Sequence, residues 1–232
     1  MNSSWNALFA VAAFGLTCQS PDALAAYSSA SADAVLTVFA GSDYELFSVN
    51  VPPSTSRATV GDALASAEGG ATALDAGLLL TGSVSSDALF PPASAASAGF
   101  GSVQPLFIFN TSGAANPLQF SLDWRFVVSA LEDLVAPSEV ATSTLTIRLQ
   151  QVVGDVTLEL FSTSALATIF SGESSDAGSF AYAYELAPNA FTTFLVSIDA
   201  SSFAATAVPL PAPALLMAPA LGMLVLRRRV AR

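Results

Sequence analysis

The chain of 232 residues has no histidine and no lysine, and its only cysteine is Cys18. Without histidine there can be no Ser-His-Asp triad and no Cys-His pair. Zinc, copper or iron sites built on imidazole are excluded as well. Without lysine there is no Ser-Lys dyad and no Schiff base. Neither a P-loop nor a G-x-G-x-x-G stretch is present. Charge is also scarce: Asp, Glu and Arg make up 11% of the residues, well under the usual quarter.

The few cations are unevenly placed. Arg227, Arg228, Arg229 and Arg232 crowd the end of the sequence, which leaves Arg57, Arg125 and Arg148 for the body. Residues 26–207 hold 17 acids against those 3 arginines, a net charge of −14. Such a body repels phosphate backbones, so nucleic-acid binding is excluded. Apolar residues reach 53%, with 16 phenylalanines, which is too many for a disordered chain. The length suits one domain with a real core. Surface polarity has to come from Ser, Thr, Asp, Asn and Gly, as suits a secreted β-protein.

The N-terminal segment reads as a signal peptide. Residues 7–17 form an apolar run of 11 residues, too short to span a bilayer but the right length for a signal core. Ser20-Pro21-Asp22 breaks any helix there. Ala23-Leu24-Ala25 then supplies the small-x-small pattern of a signal peptidase site, with cleavage before Ala26 or Tyr27. The first six residues carry no basic side chain. Leu16 sits one position away from where a lipobox ending in Cys18 would need it. Removal of residues 1–25 leaves a body with no thiol, so stability must come from packing.

The C-terminal segment has three parts in order. Val208, Pro209, Leu210, Pro211 and Ala212 form a short proline motif, residues 213–226 carry no charge, and Arg227, Arg228 and Arg229 follow. The apolar part could lie in a bilayer as a helix that satisfies its own backbone. The arginines would then stay on the cytoplasmic side and the body outside. Its 14 residues reach only ~21 Å as a helix against a hydrocarbon core of ~30 Å. Pro219 would kink it. A temporary anchor fits these dimensions better than a permanent one.

This order of parts resembles the PEP-CTERM sorting signal in its VPLPA variant, over about the last 25 residues. The resemblance implies a protein exported by a Gram-negative-type bacterium. It would be held briefly in the inner membrane, processed by exosortase, and released to the cell surface or the extracellular matrix. It also implies an association with extracellular polysaccharide and biofilm. Carried over, Pro209, Leu210, Pro211 and Ala212 are the recognition or cleavage feature, and Arg227, Arg228 and Arg229 stop transfer.

Between the two ends the dominant period is two. Residues 120–128, 145–150, 156–160 and 180–186 alternate apolar with polar or small side chains, and 194–198 form a further run. These are strands with one buried face. Residues 34–39, 45–51, 106–109 and 78–82 add to them. Turns are expected at Gly41-Ser42-Asp43, at Ala187-Pro188-Asn189 and, as a tight hairpin, at Gly154-Asp155. Eight to ten short strands predict an all-β chain, an antiparallel β-sandwich or jelly-roll-like single domain spanning residues 26–207. Residues 60–68 are the one helical candidate. The Pro-, Ala-, Ser- and Gly-rich residues 88–101 read as a long surface loop.

The chemistry left open is that of carboxylates. A glycosidase needs two of them at ~5–10 Å. Asp123, Glu132, Asp133, Glu139, Asp155, Glu159, Glu173, Asp176 and Glu185 offer many combinations, and alternation puts Asp123 and Glu159 on solvent faces. No cofactor is implied. A structural calcium ion would draw on the densest acidic groups, Glu173 with Asp176 and Glu132 with Asp133, although neither matches a calcium loop. For sugar stacking the candidates are Trp124, Tyr182 and Tyr184. Trp124, however, shares the apolar side of its strand with Phe120, Leu122 and Phe126, which points to the core.

Three functions follow from these readings. The first is a non-catalytic surface or matrix protein with no catalytic, cofactor or metal residues, whose partners are signal peptidase, exosortase, the inner membrane and extracellular polysaccharide. The second is a carbohydrate-binding module or adhesin, which requires an exposed aromatic beside acids. The third is a carboxylate-based glycoside hydrolase, which requires two acids facing each other in a cleft.

Overall fold

A computed structural model of the protein describes residues 26–39, 43–88, 94–131 and 140–206. They form eleven strands: β1 (Ala26–Phe39), β2 (Tyr44–Ser48), β3 (Ser54–Val60), β4 (Ala63–Leu74), β5 (Gly77–Ala88), β6 (Ala95–Asn110), β7 (Asn116–Leu131), β8 (Val140–Val153), β9 (Val156–Thr168), β10 (Glu173–Leu186) and β11 (Phe191–Ala205). One sheet has the order β10-β7-β1-β5-β4. The other has the order β2-β6-β11-β8-β9, with β3 also pairing β6. Every pairing is antiparallel. The described residues are all-β, an antiparallel sandwich. No helix occurs among the described residues.

The period of two is realised as burial in β7 and β8. In β9 the expected buried face over 156–160 is not formed, since Val156 and Leu158 of this edge strand are exposed. In β7 Leu118, Phe120 and Leu122 point inward, while Gln119 and Asp123 face solvent. In β8 Leu145, Ile147 and Leu149 do the same. Gly154, with φ 60°, turns β8 into β9 at the expected hairpin. Asn189, with φ 52°, makes the turn that carries the chain from β10 in one sheet to β11 in the other.

Two expectations are corrected. Residues 60–68 are not helical: β3 ends at Val60, Gly61 turns the chain with φ 69°, and β4 begins at Ala63. Backbone pairing of β4 with β5 outweighs a weak helical stripe. Nor do residues 88–101 form a loop throughout. β5 ends at Ala88, residues 89–93 are outside the described set, and β6 starts at Ala95. β6 is an interior strand, paired with β11 on one side and with β2 and β3 on the other. Its small residues allow close approach of the opposite sheet.

The core changes character along its length. At one end it contains Leu36, Leu106, Ile108, Phe120, Leu122, Ile147 and Phe194. At the other it contains Ala26, Ser28, Ser86, Ala88, Ala96, Ala141, Ser202 and Ala204. At the small end the sheets are close enough to hydrogen-bond directly. Ser28 Oγ donates to the Phe203 carbonyl at 3.0 Å, and Ser143 Oγ to the Ser129 carbonyl at 3.0 Å. Ser86 Oγ shares a 2.7 Å hydrogen bond with Ser202 Oγ. Such contacts need less than the ~10 Å spacing usual between packed sheets. Between the two ends Phe100 fills the space above Gly69 and Gly82, where an added Cβ would meet its ring at 2.6 Å and 2.5 Å.

Candidate functional site

The sorting residues Val208, Pro209, Leu210, Pro211, Ala212, Arg227, Arg228 and Arg229 lie outside the described residues, as do Ala23 and Ala25. Ala26 opens β1. It is fully buried and pairs with Ala88.

The strands disperse the carboxylates. Asp123 and Glu159 are exposed, as alternation implies, but on the outer faces of different sheets. Asp123 accepts a hydrogen bond from Ser121 Oγ at 3.2 Å, and Glu159 lies 3.9 Å from Arg148. Glu173 and Asp176 are exposed near the start of β10, and Asp155 sits in the β8–β9 turn. Glu132, Asp133 and Glu139 are outside the described residues. Among the described residues, no three acids come together in a way that could hold a metal ion.

The aromatic candidates form a chain of rings at the open side of the sandwich, where β9 and β10 end the two sheets. Trp124 packs on Phe161 at 4.4 Å, and Phe161 on Phe180 at 5.3 Å. Phe180, Tyr182 and Phe120 continue it, at 6.4 Å and 6.3 Å between successive centroids, and Phe120 meets Phe194 at 4.2 Å. Trp124, Tyr182 and Tyr184 are half-buried against the core. Gly178 gives the indole its room, since a Cβ there would lie 2.6 Å from the ring. The Trp124 indole N–H is buried and has no partner among the described residues. These rings close one side of the core and do not form an open sugar platform.

Other aromatics do reach the surface. On the outer face of the second sheet Phe47 stacks on Phe107 at 4.8 Å and 10°. Phe47 is 55% exposed. Phe191, 73% exposed, stands beside Phe109 in the register. A signal for this patch was present in Leu106-Phe107-Ile108-Phe109, which is apolar on both faces of its strand.

Along the same face lies a shallow groove of about 370 Å³. Gly99 and Gly101 form its floor, and Ser54, Ser56, Thr144 and Asp199 are among its walls. A larger groove, about 620 Å³, crosses the outer face of the first sheet and holds Asp33, Glu68 and Arg125. There Arg125 donates to Asp33 at 2.7 Å, so one of the two acids is already in an ion pair. Nothing in the sequence joins Asp33, Glu68 and Arg125, because only register brings them together.

At one end of the sandwich the Tyr44 hydroxyl donates to the Asn116 carbonyl at 2.7 Å. Burial pushes the Tyr44 phenol above its ordinary pKa, and the carboxylates of Asp43 and Glu185 add to the rise. No protein-family model, no curated protein and no solved structure matches the chain.

Proposed function

We propose that this chain is an exported, non-catalytic surface or matrix protein. A signal peptide delivers it, a PEP-CTERM-type tail sorts it through the inner membrane and exosortase, and its β-sandwich associates with extracellular polysaccharide. The observation that carries this reading is the order of the tail: the motif Val208 to Ala212, an uncharged stretch, then Arg227, Arg228 and Arg229. Asp123 and Glu159 face away from each other, and Asp33 is paired with Arg125. An acidic sandwich with hydroxyl-bearing faces also suits a hydrated matrix.

A second reading, a carbohydrate-binding module or adhesin, is favoured by the exposed Phe47, stacked on the half-buried Phe107, on the sheet face that also bears the hydroxyl-lined groove. In this reading the aromatic platform is the outer face of β2 and β6, in place of Trp124, Tyr182 and Tyr184.

The test is the intact mass of the protein recovered from a host with exosortase and from the same host without it. The expected result is loss of residues 1–25 in both hosts. A new C-terminus between Val208 and Ala212 should appear only where exosortase is present. Retention of Arg232 in both hosts would reject the sorting reading. Cleavage is expected before Ala26 or Tyr27.

A further inference from the structure

The outer row of N–H and C=O groups on an edge strand is a template for another strand, and proteins guard such edges with breaks, bulges, charges or prolines. In this sandwich β2 and β3 share one edge, and Pro52-Pro53, which cannot donate to a ladder, separates them. β9 carries a bulge at Leu160, since Phe161 lies opposite Leu149 and Glu159 opposite Gln150. β4 carries Glu68 beside Gly69-Gly70. β10 has no such device in its centre. It runs 14 residues in regular register with β7, and from Ala177 to Tyr184 it has neither charge nor proline. Among the described residues it pairs with β7 alone.

We propose that β10 pairs antiparallel with β10 of a second copy of this chain, about a two-fold axis at Phe180, joining the two five-stranded sheets into one. An axis perpendicular to the sheet keeps faces matched, so it passes through a residue and not between two. Near-full overlap leaves Ser179 or Phe180 as the centre. An axis at Ser179 sets Glu173 opposite Glu185 of the second copy, twice, and opposed like charges are unfavourable. An axis at Phe180 opposes no two acids: Ser175 meets Glu185, and Asp176 meets Tyr184.

The same register places Tyr182 of each copy opposite Gly178 of the other, beside the Trp124 ring that covers Gly178. The half-buried rings of Phe180 and Tyr182 then continue across the joint as one aromatic row. Because each body carries a charge of −14, pairing should tighten as salt rises. This inference does not depend on the reading of the two ends.

The experiment is sedimentation velocity on the full chain and two double variants, with circular dichroism as the check on folding. Ser179 and Ala181 are exposed, and the Phe180 axis makes them opposite neighbours. The wild-type chain is expected to be a dimer at micromolar concentration. Ser179→Glu with Ala181→Glu opposes carboxylates at two places and should weaken the dimer by about tenfold or more. Ser179→Glu with Ala181→Lys opposes unlike charges and should restore it. A monomeric wild type, a dimer that the double glutamate variant leaves intact, or no recovery with the Glu/Lys variant would each overturn the proposal.

Discussion

The side-chain amide of Gln104 bonds both backbone groups of Val51. Its Oε1 accepts from the Val51 N–H at 3.0 Å, and its Nε2 donates to the Val51 carbonyl. Gln104 is buried in β6, opposite the gap between β2 and β3, where Pro52-Pro53 interrupts the ladder. One side chain thus stands in for a missing strand residue.

Gln104→Leu removes both hydrogen bonds and leaves the Val51 groups without these partners. It is expected to cost about 1–3 kcal/mol, read as a lower midpoint in urea unfolding. An unchanged midpoint would mean that the edge holds itself without the clamp.

Phe100 and Gly82 are a matched pair, large in one sheet and absent in the other. Gly82→Ala places a Cβ 2.5 Å from the Phe100 ring and is expected to cost about 1–3 kcal/mol through overpacking. Phe100→Leu should relieve that clash. In a double-mutant cycle the two changes together should therefore cost less than their sum. Simple additivity would show that the ring moves aside freely.

The serine contacts between sheets predict an unusual order of tolerance. Ser86→Ala loses a hydrogen bond and should cost about 1 kcal/mol. Ser86→Val introduces branched bulk where Ser202 Oγ stands 2.7 Å away, and should cost more, about 1–3 kcal/mol beyond the alanine variant. Thermal unfolding of the two variants decides the order. A valine variant as stable as the alanine variant would contradict the close sheet spacing.

Tyr44 predicts a loss of stability at alkaline pH. Its folded pKa is raised, so the unfolded chain gives up the phenolic proton first. This contribution is complete below the unfolded value of about 10 and is lost as pH rises through the folded value. Tyr44→Phe should be less stable than wild type at pH 7 by about 1 kcal/mol, from loss of the bond to Asn116. The gap should narrow above pH 10. Urea titrations at the two pH values test the sign.

Several features could be read directly from the sequence. Alternation located the strands around Phe120, Ile147 and Leu158, and Gly154-Asp155 marked its hairpin. Trp124 shares the apolar side of β7 with Phe120 and Leu122, and there it packs on Phe161. Other features were hidden. Residues 95–101, nearly all Ala, Ser and Gly, have the composition of a surface loop. Yet such residues are also what a strand needs where two sheets approach closely. Phe47 and Phe107 lie 60 positions apart in the numbering, and no local pattern announces that β2 and β6 bring them into a stack.

The sequence alone determined the excluded chemistries, the acidic body, the three-part tail and the all-β alternation, because each depends on composition or on spacing within a few residues. The tertiary structure alone decided which strands neighbour one another. Hence it decided that β6 is interior, that among the described residues β10 pairs with β7 alone, and that Asp33 meets Arg125. Alternation specifies which face of a strand is buried, but a ladder gains its stability from a partner far away in the chain. That choice depends on how all eleven strands fit together.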